Sequence, residues 1–136
     1  MGDSEAWERL AEHDHAVLAT VHPRRGVDAV PVVYAVDDDH VGIPVDTVKP
    51  KASTRLQRER NLEADPRATL LLDHWGPADW SRLWWVRAEL RWVEAPSTDL
   101  TERLAARLTD RYSQYADRPF ARVLALRVVR VPGWGG

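Results

Sequence analysis

The chain has 136 residues, 44% hydrophobic and 29% charged, with a net charge of −2. This composition excludes disorder as the default and fits a single domain over 1–136 with a sizeable core. The slight acidity argues against general binding to nucleic acid or anionic membrane, and the absence of cysteine excludes disulfides, thiolate catalysis and cysteine-held metal.

In chain order, Asp3 or Ser4 is predicted to cap a short helix through about Asp14, with Trp7, Leu10 and Ala11 on its apolar side. This acidic, polar start does not read as a secretory leader. No apolar run approaches the ~20 residues that span a bilayer. The expected location is therefore cytoplasmic. His13-Asp14-His15 has ligand-like spacing but stands near a helix end, so no metal is expected there. Ala16–His22 reads as a strand, Pro23-Arg24-Arg25-Gly26 as a turn, and Val27–Val36 as a second strand. Pro31 within it predicts a bulge or an unpaired position. Asp37-Asp38-Asp39 is read as a hairpin turn, followed by a third strand over His40–Val45.

Lys49, Lys51, Arg55, Arg58 and Arg60 then concentrate positive charge in a slightly acidic chain, opposed only by Glu59. On a helix, Lys51, Arg55 and Arg58 share one face, where an anion such as phosphate relieves their repulsion. Asp65-Pro66-Arg67 returns the chain to extended backbone, because proline disfavours a helical residue before it. Ala68–Trp75 is predicted as a central strand. Arg82–Glu94 carries Trp84, Val86, Ala88, Leu90 and Trp92 on one face, a core pattern, and Trp85 and Arg87 on the other. Pro96–Tyr112 reads as a helix with Asp99 and Glu102 as a capping box and a Leu100, Leu104, Leu108, Tyr112 stripe. Phe120–Val131 is the last strand, and the glycine-rich end reads as a loose tail. The sum is about six strands in a mainly β, α+β fold. Their short connections favour antiparallel pairing, and closure into a small barrel removes exposed edges.

LATVHPRRGVDAVPVVYAV, VDTVKPKASTRLQRERNLEADPRATLLLDHW and DWSRLWWVRAEL together span nearly the whole chain. They resemble the split β-barrel flavoproteins related to pyridoxamine 5′-phosphate oxidase, and within them the branch that uses the deazaflavin coenzyme F420. The resemblance implies a six-stranded antiparallel split barrel with flanking helices, dimeric, with the cofactor between two barrels. It implies coenzyme F420, alternatively FMN, and hydride transfer to or from a small organic substrate. A flavin or deazaflavin carrier or sensor without turnover is the other reading. The basic residue pair of the family falls on Gln57 and Arg58, so Lys49, Lys51 and Arg55 are expected to add charge, with Arg60 nearby and Thr47 and Thr54 as hydroxyl donors. The ring is expected against Val32 and Val33 and the strand end Pro44 to Asp46. Trp75, Trp80, Trp85 and Arg87 are expected to close the pocket from the partner subunit. No nucleophile or acid–base pair is evident, as suits chemistry carried by a cofactor.

Overall fold

The computed structural model describes residues 1–46, 56–117 and 120–135. Helix α1 (Asp3–Glu12) leads into a hairpin of β1 (Ala16–His22) and β2 (Gly26–Val32). Gly26 takes φ +97° at the turn, a conformation open to glycine at no steric cost. A second hairpin joins β3 (Ala35–Asp37) to β4 (His40–Asp46), with Asp37 paired to His40. Asp38 turns the corner at φ +52°, which a short polar side chain tolerates. There follow α2 (Gln57–Ala64), β5 (Arg67–His74), β6 (Trp84–Trp92), α3 (Thr98–Arg111), β7 (Phe120–Arg130) and β8 (Gly133–Gly135).

All pairs are antiparallel, in the order β2-β1-β5-β6-β7-β4-β3, with β8 beside Trp84–Val86 of β6. The two ends of this path, β2 and β3, are consecutive in the chain and separated only by Val33 and Tyr34. Three Cα steps reach at most about 11 Å. The sheet must therefore curl until its edges meet at that corner, which makes it a half-barrel.

Period-two patterning fills the inside. Leu18, Leu70, Leu72, Val86, Ala88 and Leu90 are buried there, with Leu10 of α1 and Leu62 of α2 packed among them. Strand β7 is buried on both faces. Leu124, Leu126 and Val128 point into the barrel, while Val123 and Ala125 pack under Leu100, Leu104 and Leu108 of α3. The helix lies so close to β4 that a Cβ on Gly42 would stand 2.9 Å from Leu104 Cβ. Glycine is needed at that contact.

The structure corrects several expectations. Among the described residues there are eight strands rather than six, because the expected strand Val27–Val36 breaks at the corner into β2 and β3 and Gly133–Gly135 adds another. The glycine-rich stretch is paired as far as it is described: Gly133–Gly135 continues along β6 after Pro132, whose carbonyl accepts from Arg87 N at 2.9 Å. Pro31 makes no bulge, since β1 and β2 keep one register throughout and Pro31 sits on the edge strand. Helix α3 is capped by Ser97, whose hydroxyl accepts from Leu100 N at 3.1 Å; Asp99 instead pairs with Arg103. In α1 it is Ala6 and Leu10 that are buried, while Ala11 is exposed. Trp84 is core as expected, whereas Trp92 is only half-buried. Among the described residues, no helix is long and apolar enough to cross a membrane.

Asp37 anchors α3 to the second hairpin. It is 8% exposed and accepts from Arg103 Nε at 2.9 Å and Arg107 Nε at 3.2 Å. The hydrogen bond from Arg103, reinforced by Arg107, holds its carboxyl below the ordinary carboxylate range. Its contribution is fully present above the unfolded value of about 4 and is lost as pH falls through the depressed folded value. Asp37→Asn is expected to cost about 1–2 kcal/mol at pH 7, discounted because both arginines are half-exposed. The difference from the unsubstituted protein should vanish in acid, as read by urea unfolding at pH 7 and below pH 3.

Candidate functional site

The seam where the sheet ends approach one another is a cleft of about 300 Å³, the lower end of the range for small-molecule sites. One wall is Pro31, Val32 and Val33, from β2 and the corner after it; the facing wall is Ile43 and Pro44 of β4. Arg58 of α2, His15 and Tyr115 complete the lining. Both prolines stand on open edges. Strand β2 ends the sheet, and β3 stops pairing with β4 at Gly42, two residues before Pro44. An edge position tolerates proline because its missing N–H can face away from the ladder. An edge without that donor cannot zip fully onto its neighbour, so the seam stays open. His15 reaches the cleft because Ala16 pairs with Val32, which brings the preceding residue beside Val33.

Charge is arranged around the cleft by α2. Glu59, the one acid set against the basic segment, is 4% exposed and turned to Arg122, with contacts of 2.5 and 2.8 Å. It also accepts from Leu56 N at 3.2 Å, closing the start of the helix. Arg58 is the basic side chain of the cleft lining, and Glu59 is not among the lining residues.

The RNLxxDPR word is structural in its details. Arg60 is exposed. Asn61 is fully buried: its Nδ2 donates to Thr20 Oγ1 at 3.0 Å and Asp28 Oδ2 at 2.9 Å, and its Oδ1 accepts from Gln57 Nε2 at 2.9 Å. Gln57, standing where the resemblance implies a basic residue, therefore braces Asn61. The hydrogen bond from Asn61, with help from Arg25, lowers the Asp28 carboxyl below its ordinary value. Leu62 enters the core. Arg67 folds back on Asp65, with a contact of 2.6 Å, and holds that carboxyl at about 2.

Of the residues expected to hold a cofactor, Val32, Val33, Pro44 and Arg58 line one cleft. Asp46 is the last residue of β4. Thr47, Lys49, Lys51, Thr54 and Arg55 lie outside the described residues. Arg60 is not among the cleft residues, nor are the aromatic candidates. Trp75 and Trp80 are exposed, with ring centroids 6.4 Å apart. Trp85 and Arg87 occupy the outer face of β6, the guanidinium 5.3 Å from the ring. Sequence reasoning missed His15, Ile43 and Tyr115. Tyr115 arrives by a short turn after α3 and leaves no local signal.

A family model described as pyridoxamine 5′-phosphate oxidase matches residues 3–135. No curated protein matches the chain. Among solved structures, an FAD-binding protein from Mesorhizobium loti superposes with a TM-score of 0.73 at 18% identity, over 98% of this chain and 92% of that one. An FMN-binding protein from Syntrophomonas wolfei subsp. wolfei has a TM-score of 0.67 at 16% identity, over 98% and 89%. A heme binding protein from Mycobacterium smegmatis has a TM-score of 0.73 at 18% identity, over 97% of this chain and 53% of that one. The likeness is one of fold: a curled antiparallel sheet with three helices.

Proposed function

Because this chain belongs to the pyridoxamine 5′-phosphate oxidase family, we propose that it binds a flavin-type cofactor in the cleft beside Arg58 and acts as an oxidoreductase on a small organic molecule. The observation that carries this reading is the meeting of Val32, Val33, Pro44 and Arg58 in one cleft, drawn from three separate stretches of sequence. The residues fit the group. Apolar walls suit a flat ring, and a guanidinium suits phosphate through charge-assisted hydrogen bonds. When bound, the cofactor supplies the hydride transfer. The chain's own part is to hold and orient: Val32, Val33 and Ile43 exclude water from one side, and Arg58 anchors the anionic end. Coenzyme F420 is the first choice and FMN the second, because a basic segment extending through Lys49, Lys51 and Arg55 suits a long anionic tail.

Titrating the cofactor-free protein with F420 and with FMN, followed by cofactor fluorescence, is expected to give micromolar binding of one of them. Binding of neither overturns the reading. Binding without turnover of any enone or quinone points to a carrier instead.

The reading includes a homodimer. Helix α3 packs on β3, β4 and β7, leaving the outer face of β1, β5 and β8 uncovered among the described residues. There Val17, Leu71 and Trp134 are 38, 43 and 48% exposed. Val17 pairs directly with Leu71, so the apolar groups adjoin. In this arrangement Trp75, Trp80, Trp85 and Arg87 serve the partner subunit's cleft. Leu71→Arg is expected to yield a folded monomer by sedimentation, because the substitution buries an unpaired charge only in the dimer.

A further inference from the structure

The structure assigns a second binding site, for a divalent transition-metal ion, to His13, Asp14 and His15. A ring nitrogen from each histidine and a carboxylate oxygen of Asp14 all lie within 4.8 Å of one another, the only such group among the described residues. In the sequence, proximity to a helix end argued against a site. The backbone removes that objection. His13 is the first residue past α1 and is already extended, at φ −71° and ψ 146°. The chain bends at Asp14, so its carboxylate is not turned to the opposite face as it would be in a strand, and the three groups converge. The two imidazole centroids are accordingly 5.4 Å apart, with planes inclined by 31°.

The chemistry of the three groups fits a borderline cation. Tetrahedral zinc at about 2.0–2.1 Å from each ligand sets ligand atoms about 3.4 Å apart. The side chains of His15 and Asp14 are 68% and 77% exposed, so their rotation closes the remaining distance without moving the core. His13 is the fixed member, its ring edge-on to Trp84 at 5.4 Å. His15 Nδ1 lies 2.6 Å from Asp14 Oδ1. An ion would take the place of the proton shared between these two atoms, with His15 bound as the neutral imidazole. Asp14 and Asp73 are the anionic groups acting on His13, and the C-terminal end of α1 adds partial negative charge. Arg111 is the opposing cation, and its guanidinium donates to the carbonyls of Ala11 and His13. Two imidazoles and a carboxylate suit zinc, cobalt, nickel or copper better than magnesium or calcium. Three protein ligands leave one position for water or an exogenous ligand.

The test uses the full chain without a histidine tag, stripped with chelator and free of any flavin, so that its outcome is independent of the cofactor reading. Titration with Co2+ is expected to give one equivalent bound per chain with the visible absorption of four-coordinate cobalt, which Zn2+ then displaces. His15→Gln alters an exposed side chain and should fold normally, as circular dichroism would verify. It is expected to weaken Zn2+ binding by about 100-fold, the upper end of what losing even an outer-shell partner costs. A rise in thermal midpoint on adding Zn2+ should appear in the unsubstituted protein and disappear in His15→Gln. Absence of the cobalt absorption overturns the assignment, as does equal Zn2+ affinity in the two proteins.

Discussion

Asn61→Ala is expected to lower stability by about 3 kcal/mol and the thermal midpoint by roughly 10 °C. Asn61 is the tie between α2 and the first hairpin: it donates to Thr20 on β1 and Asp28 on β2, and accepts from Gln57 one turn earlier. Truncation removes three hydrogen bonds at once. Asp28 and Gln57 regain water easily, but Thr20 is 2% exposed and is left buried with its acceptor capacity unused. A small cavity adds to the loss. Asn61→Asp separates the polar contribution from the cavity. It sets a second carboxylate against Asp28 Oδ2, where Asn61 now donates. Like charges at that distance raise the folded-state pKa of the pair above its unfolded value. The folded state then takes up a proton on acidification, so the deficit of Asn61→Asp is largest at neutral pH and shrinks as pH falls through the raised value. Differential scanning calorimetry at pH 7 and pH 5 distinguishes the two variants. A shift under about 3 °C for Asn61→Ala would show that Leu62 and the Glu59–Arg122 pair hold α2 without Asn61.

Arg58→Glu is expected to weaken binding of the anionic cofactor by about 100-fold, since it both deletes a charge-assisted contact and sets a carboxylate in the cleft. Binding to the unsubstituted protein should weaken as salt rises, and that salt dependence should flatten in Arg58→Glu. Far-ultraviolet circular dichroism and a cooperative melt establish that the variant is folded. Unchanged affinity would move the anion grip wholly into Lys49, Lys51 and Arg55. Such a result would leave the apolar walls of the cleft unaffected.

The elements legible in the sequence were those whose two faces differ. Trp84, Val86, Ala88 and Leu90 alternate with polar residues on β6, and the α3 leucines recur one turn apart, so both stood out. The corner at Val33 and Tyr34 did not, because VVYAV after Pro31 is a run of apolar and aromatic residues and carries no turn residue. What bends it is distant. Tyr34 is fully buried, its hydroxyl donates to Leu10 O at 2.6 Å, and burial pushes the phenol pKa upward. The Tyr112 hydroxyl stands 2.9 Å from Tyr34 O. These partners come from α1 and the end of α3, so no local window reveals them. The cleft follows the same division. Val32, Val33, Pro44 and Arg58 were named from the resemblance and do meet, whereas His15 and Tyr115 are brought in only by the folded chain. Asn61 looked like part of a helix-ending word, and its buried role depends on Thr20 and Asp28 some forty and thirty residues earlier.

The strand order also has a consequence for synthesis. Both hairpins, β1 with β2 and β3 with β4, can form soon after they leave the ribosome. Each then lacks its second neighbour: Leu18 awaits Leu70, and Ile43 awaits Leu124 on the last long strand. The second edge of β4 therefore stays unpaired until β7 has emerged, when nearly the whole chain has been made. Such long-range pairing belongs to slow folders, on the order of milliseconds to seconds. The nascent chain thus carries β4 with an open edge through most of its translation, and arrival of β7 buries both of its own faces and completes the wall in one step.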